Sequence, residues 1–195
     1  MSKERGPVLK KARAYGIEPQ YLGVNKKSKR HPAQSRRKKS EYGIQLTEKQ
    51  KVRFTYGLSE TQFRNLFEKA SKKAGGAGEN LLIMLESRMD NVVFRMGFAA
   101  TRREARQLVN HGHFLVNGQK ATIPSMTLKA GDVVSVKAKS QSSPKFSELK
   151  DMIITTPGWI ELNQDKFEGK ITRLPAREDI DLTIEEHYIV ELYSR

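Results

Sequence analysis

Residues 101–118 read Thr-Arg-Arg-Glu-Ala-Arg-Gln-Leu-Val-Asn-His-Gly-His-Phe-Leu-Val-Asn-Gly. Thr101 stands three residues before Glu104, the spacing of a capping box that opens a helix. Ala105, Leu108 and Val109 then fall on one narrow face, and Arg103, Arg106, Gln107 and Asn110 on the opposite one. Gly112 is placed to end the helix. The apolar run Phe114 to Val116 follows and closes at Asn117-Gly118, a strong hairpin signal. The stretch predicts a short basic helix packed by one face and running straight into a strand. Its other face offers guanidinium forks and amides, the groups that grip phosphates and base edges.

The chain has 195 residues, enough for one large domain or two small ones. Only 37% is apolar and 30% is charged, so the core is modest, and the net charge is +14. That charge is graded along the chain. Residues 1–53 hold 16 Lys and Arg against 4 Asp and Glu, whereas residues 151–195 hold 5 against 10. A basic end suited to a polyanion and an acidic end facing something else are implied. Nucleic acid is the expected polyanion. The basic segment lacks the paired apolar face that would enter a membrane interface. The longest apolar run, Leu81 to Leu85, is too short to span a bilayer. The opening residues MSKERGPVLKK contain no stretch like a secretory signal. Cysteine is absent, which excludes disulfides and thiolate metal sites.

Residues 1–45 predict an extended basic arm. Apolar residues there are sparse, Pro7, Pro19 and Pro32 interrupt it, and it cannot bury enough surface to order itself alone. It carries Lys29 and Arg30 in one basic run and Arg36, Arg37, Lys38 and Lys39 in another, with Tyr15, Tyr21 and Tyr42 interleaved. An arm that folds against RNA is expected. Residues 46–87 predict a helical domain completed by the C-terminal helix within 178–195. Capping boxes are expected at Thr47 with Gln50, at Ser59 with Gln62, and at Thr183 with Glu186. A longer helix is expected over 79–97, kinked near Asp90. Residues 88–177 predict a domain with a small antiparallel sheet, its strands at 114–116, 119–122, 133–137, 159–162 and 169–174, with a short helix at 145–152.

No catalytic constellation stands out. His111 and His113 are too close in a helix-to-strand corner for a zinc pair, and no other ligand cluster lies near. Gly75-Gly76-Ala77-Gly78 lacks the Lys-Ser/Thr of a phosphate loop. Asp179, Asp181, Glu185 and Glu186 read as a solvated acidic surface. The expectation is a non-enzyme with no cofactor, metal or small-molecule substrate. The basic residues cluster instead: Lys49, Lys51 and Arg53 with Arg64 in the first helices, and Arg102, Arg103 and Arg106 on the 101–111 helix. Many phosphate contacts are implied, each releasing counterions. Structured RNA fits better than duplex DNA, because no recognition helix with a dimerisation element is present.

Three motifs carry a family resemblance: Ser87-Arg88-Met89-Asp90-Asn91-Val92-Val93-Phe94-Arg95-Met96-Gly97, then Thr101 to Val109, then Val116-Asn117-Gly118. Together they resemble the S-four RNA-binding domain. Glu41 to Lys51, Tyr56-Gly57, Gln62-Phe63-Arg64 and the terminus Glu186 to Arg195 resemble the small-subunit ribosomal protein four family. The likeness covers roughly residues 41–195. Some members bind zinc through cysteines in the arm; this chain resembles the zinc-free branch. The resemblance implies an α+β fold with a helix-helix-strand RNA module. It implies a structural, cytoplasmic constituent of the small ribosomal subunit. Such a protein binds small-subunit ribosomal RNA early, organises its 5′ domain, touches small-subunit ribosomal protein five at an interface tied to accuracy, and lines the path by which messenger RNA enters. Arg88, Gln107, Asn110, His111, His113, Asn117 and Lys120 complete the expected RNA-binding set. Glu185, Glu186 and Tyr193 are the expected protein-partner residues. An RNA-modifying enzyme would need a further catalytic domain, for which 151–195 is too short. A free-standing regulatory RNA binder would not need the arm or the 47–75 helices.

Overall fold

The computed structural model describes residues 6–26, 40–148 and 155–194. Its fold is α+β, as expected, and divides into two units: residues 1–82 with 181–195, and residues 83–180.

The first unit is helical. Helix α1 (Val8–Tyr15) is followed by a 3-10 turn at Pro19–Leu22. Helices α2 (Glu41–Tyr56), α3 (Glu60–Ser71) and the start of α4 (Ala77–Glu86) come next. The last helix, α9 (Glu186–Tyr193), returns from the far end of the chain to pack on α2. Helix α1 lies where an extended arm was expected. The local pattern is weak because the burial is tertiary: α1 packs on α2, Ala12 and Ile17 are buried, and the Tyr15 and Phe54 rings meet at 5.8 Å. Helix α2 begins six residues before the expected Thr47, because Ser40 Oγ accepts from the Gly43 N–H at 3.2 Å. Thr47 lies inside the helix and donates its hydroxyl to the Gly43 carbonyl. The expected box at Ser59 and Gln62 is formed in both directions and starts α3. The box expected at Thr183 is not: α9 begins after Glu185 without a side-chain cap, and the Thr183 carbonyl accepts from Lys51 Nζ. The unit's core holds Val52, Tyr56, Phe63, Phe67, Leu182, Ile184 and Ile189. Tyr193 stacks on Phe67 at 4.6 Å and on Phe63 at 6.3 Å.

In the second unit, α5 (Met89–Arg95) and α6 (Arg102–Asn110) pack on each other beside a sheet. The strands are β1 (Phe114–Val116), β2 (Gln119–Ala121), β3 (Val133–Val136), β4 (Ile160–Asn163) and β5 (Glu168–Ile171). Their order is β2-β1-β3-β5-β4, with every neighbouring pair antiparallel. The turn from β1 to β2 has φ of 50° at Asn117 and 79° at Gly118, the two left-handed residues that match strand twist. Two one-turn helices, α7 (Ala138–Gln141) and α8 (Pro144–Ser147), follow β3. Helix α7 falls where a loop was expected, and residues 149–152 of the helix expected at 145–152 lie outside the described residues. One apolar core joins α5 and α6 to the sheet through Met96, Phe98, Val109, Phe114, Val136 and Trp159. Each such side chain contributes roughly 1.5–3 kcal/mol on burial.

The single helix expected over 79–97 is two helices. Arg88 is extended, with φ −68° and ψ 140°, and bridges Thr127 in the manner of a strand. The Met89 N–H donates to the Met126 carbonyl and the Leu128 N–H to the Ser87 carbonyl, both at 2.8 Å. The expected kink near Asp90 is thus a full break at Arg88, where the loop around Thr127 takes the bonds that a continuous helix would have made.

Candidate nucleic-acid interface

The α6 helix begins as its sequence predicts. Thr101 Oγ1 accepts from the Glu104 N–H at 3.1 Å, while the Glu104 carboxylate accepts from the Ala100 N–H at 2.8 Å. Glu104 also takes a bond from Lys145. Burial alone would raise the Glu104 carboxyl, but the Lys145 ammonium and the two N–H donors outweigh it and hold the pKa below the usual range. At the far end, Gly112 has φ of 74°, and the His113 N–H donates back to the Leu108 carbonyl. Lys120 Cε would lie 2.6 Å from a Cβ at Gly112 but can move aside, so it is the left-handed turn that glycine serves here.

The arginines around α6 divide into two classes. Arg88 makes a bidentate pair with Asp90, Nε to Oδ1 at 3.0 Å and Nη2 to Oδ2 at 2.9 Å. Its side chain is 5% exposed and that of Asp90 is 3% exposed. Arg106 reaches the same carboxylate, with Nε donating to Oδ2 at 2.8 Å. Glu86, fully buried, accepts a fork from Arg95 and a bond from Asn91 Nδ2 at 2.7 Å. The Asn91 oxygen in turn accepts from Arg102 Nε at 2.7 Å, and the Arg102 guanidinium lies 4.4 Å from the Phe94 ring centre. Arg88 and Arg102, expected on RNA, are spent on the fold: Arg88 answers the buried Asp90 carboxylate and Arg102 the buried Asn91 oxygen. Arg106 serves the same knot from its edge, with a fifth of its side chain exposed. Four arginines against two carboxylates leave the knot positive.

Arg103, Gln107 and His111 form the exposed stripe of α6, and Asn110 is half-buried beside it. His113 is half-buried at the corner, and Lys120 is exposed. The Asn117 carboxamide is used internally: its oxygen accepts from the Val133 N–H and its nitrogen donates to Asp132 Oδ1, both at 2.9 Å.

In the first unit the expected basic cluster is partly neutralised. Lys49 is buried and bonds Glu60, which Arg53 also approaches at 3.7 Å. Lys51 pairs with Glu48, and exposed Arg64 with Glu68 on its own helix. Tyr193 is half-buried, and its hydroxyl donates to Glu60 at 3.1 Å. Burial first, and the nearby Glu60 charge second, push the phenol well above its ordinary pKa. Glu185 is exposed and faces His187 at 3.6 Å. Glu186 is held close to Gly78, where a side chain would meet its Cβ at 2.6 Å. Lys29, Arg30, Arg36, Arg37, Lys38 and Lys39 lie outside the described residues.

Three cations were missed in the sequence: Lys137, Lys139 and Lys145. In the sequence Lys137 ends the expected strand 133–137 and Lys145 opens the expected helix 145–152, so neither stands out as a binding residue. Only the fold places them, because the Lys137 N–H donates to the His113 carbonyl at 2.8 Å and Lys145 reaches α6.

Comparison with known proteins fits this division of the chain. Residues 3–86 match the family described as the Ribosomal protein S4/S9 N-terminal domain, and residues 87–134 match the S4 domain. The small ribosomal subunit protein uS4 of Lachnoclostridium phytofermentans is 50% identical over 198 residues, covering all of both chains. That of Lachnospira eligens is 49% identical over 197 residues, again covering all of both. That of Acetivibrio thermocellus is 58% identical over 164 residues, covering 83% of this chain and 79% of the other. With relatives this similar over its full length, and with a basic helix-strand corner built on a buried arginine knot, the chain belongs to the ribosomal protein S4 family.

Proposed function

We propose that the chain is a structural constituent of the small ribosomal subunit that binds ribosomal RNA through the exposed side of α6 and the corner after it. The observation that carries this reading is the stripe of Arg103, Gln107 and His111, held on a helix whose other side is locked into a core and an ion-pair knot. A rigid, positive, amide-bearing face is what phosphate-rich irregular RNA requires. The names of the relatives support the small subunit as its place, and the cytoplasm, where bacterial ribosomes work, is then its compartment. The N-terminal residues 1–45 act as a basic arm, 46–87 with 178–195 as a helical body, and 88–177 as the RNA module. In the finer reading, taken from the family resemblance, the protein organises the 5′ domain of the RNA, and its acidic end with Glu185 and Glu186 meets small-subunit ribosomal protein five in support of accuracy. Messenger RNA passes nearby as it enters.

Replacing Arg103 and Gln107 together with Ala tests the RNA face without touching the knot. Affinity for small-subunit RNA should fall several-fold, and the dependence of affinity on salt should flatten by about one phosphate contact. Unchanged affinity and slope would show that this face is merely solvated. Arg106 is the wrong choice for that test, since it is bonded to Asp90.

A further inference from the structure

We infer that the one-turn helix α7 with Lys137 before it forms a second phosphate-binding surface for RNA, hooked to the α6–β1 corner by Ser140. This rests on the reading of the corner as an RNA face. The segment is fastened at three points. The Lys137 N–H donates to the His113 carbonyl at 2.8 Å. Ser140 Oγ and His113 Nδ1 share a hydrogen bond at 3.0 Å. Gln141 Nε2 donates to the Val136 carbonyl at 2.9 Å. The His113 ring stands 6.1 Å from that of Phe146, in the core, and 6.1 Å from that of His111, on the exposed stripe. One residue thus joins α7, the core and the α6 face.

Among the described residues, the fold makes no use of the cations of this segment. Lys137 and Lys139 are exposed, and among the described residues neither has an acidic partner. Lys145, a few residues on, is bonded to Glu104, and Lys49 and Lys51 in the first unit are paired as well. Lys120 passes over Gly112 on the neighbouring strand, so the corner carries cations from both strands that flank it. Two exposed ammonium groups with no carboxylate beside them among the described residues leave a local positive charge that a polyanion would neutralise. Lysine presents a compact charge without a planar fork, which suits phosphate oxygens and gives no reading of base identity. The surface is therefore a grip on backbone, next to the guanidinium and amides of α6.

The test uses the full chain and a transcript of the 5′ domain of small-subunit ribosomal RNA, with affinity measured across a salt series. Lys137→Gln with Lys139→Gln should lower the salt slope by about 1.4–1.8, the contribution of two phosphates, and leave the thermal transition in place. Changing both lysines to Arg should restore most of the slope. Ser140→Ala keeps every charge and removes the one of the three fastenings that reaches the His113 ring. It should weaken binding several-fold, and wild-type affinity in that variant would overturn the hook. A lysine pair that leaves the slope unchanged while Arg103→Ala lowers it would overturn this inference alone. If neither variant changes the slope, the RNA reading of the corner falls with it. A loss seen only on assembly with other subunit proteins, and not on naked RNA, would assign the lysines to an acidic protein partner and overturn the RNA surface.

Discussion

The two units use opposite charges in opposite ways. In the 83–180 unit, Glu86 and Asp90 are buried; Arg88, Arg95 and Arg106 pair with them, and Arg102 joins through Asn91 to form a knot beneath the exposed face of α6. In the helical unit, the meeting point is Glu60, whose side chain is 48% exposed while it holds Lys49 and Tyr193. The first arrangement is expensive to disturb, because removing one partner strands a charge away from water. The second is screened by solvent and contributes little beyond the aromatic stacking around it. The same residue types therefore build the fold in one place and decorate it in another, and a count of basic residues does not separate the roles.

Asp90→Asn should break this comparison if it is wrong. We expect a loss of about 3–5 kcal/mol. Unfolding can be followed by Trp159, the only tryptophan, which is buried in the same unit. A loss no larger than that of a surface pair would mean that the knot is not what holds the corner. Tyr193→Ala, in the other unit, removes two ring contacts and should cost about 2 kcal/mol. Hydrogen exchange of α2 and α3 should rise while the Trp159 signal stays in place. A Trp159 shift equal to that of Asp90→Asn would merge the units energetically.

Alkali should act on the helical unit first. The Tyr193 phenol is raised in the folded protein, so its stabilising effect is complete below pH ~10, where free tyrosine ionises, and declines as pH rises beyond it. An alkaline titration should loosen α9 in the wild type and have no such effect in Tyr193→Phe. Acid works in the other direction. Glu60, Glu104 and Asp179 are held below their ordinary values, the first two against the opposing effect of burial and Asp179 chiefly by Arg173. Their contribution is complete above the ordinary carboxylate range and is lost as pH falls through the lowered values. Both units should weaken there, and a midpoint rising on acidification would contradict the assignment. The smallest effect is Glu60→Gln, under about 1 kcal/mol and reduced further by salt. A larger loss would place Glu60 with the buried carboxylates.

Much of the fold is legible in short-range chemistry. Thr101 and Glu104, Ser59 and Gln62, Gly112, and Asn117-Gly118 each act within a few residues, and each acts as its sequence predicts. What the sequence hides is decided across distance. The break at Arg88 depends on Thr127, helix α1 depends on the α2 surface, and Ser40 rather than Thr47 caps α2. The site shows the same limit. Helical periodicity puts Arg102 and Arg103 side by side as cations, yet one lies over Phe94 and the other is exposed. Nothing local distinguishes them, because the choice belongs to Asn91, Glu86 and Asp90. Lys137 and Lys139 escaped notice for the converse reason: their charge was plain, but their position depends on His113 and Ser140.

The return of α9 to α2 has a consequence for how the chain is made. Residues 83–180 are contiguous, so that unit has all its parts before the last helix leaves the ribosome that synthesises it. The helical unit does not. Phe63 and Phe67 emerge well before the ring that covers them, Tyr193, which follows all of residues 83–180. The helical unit is completed only after the other, and while residues 68–193 are translated its aromatic face stays open to chaperones and to premature partners.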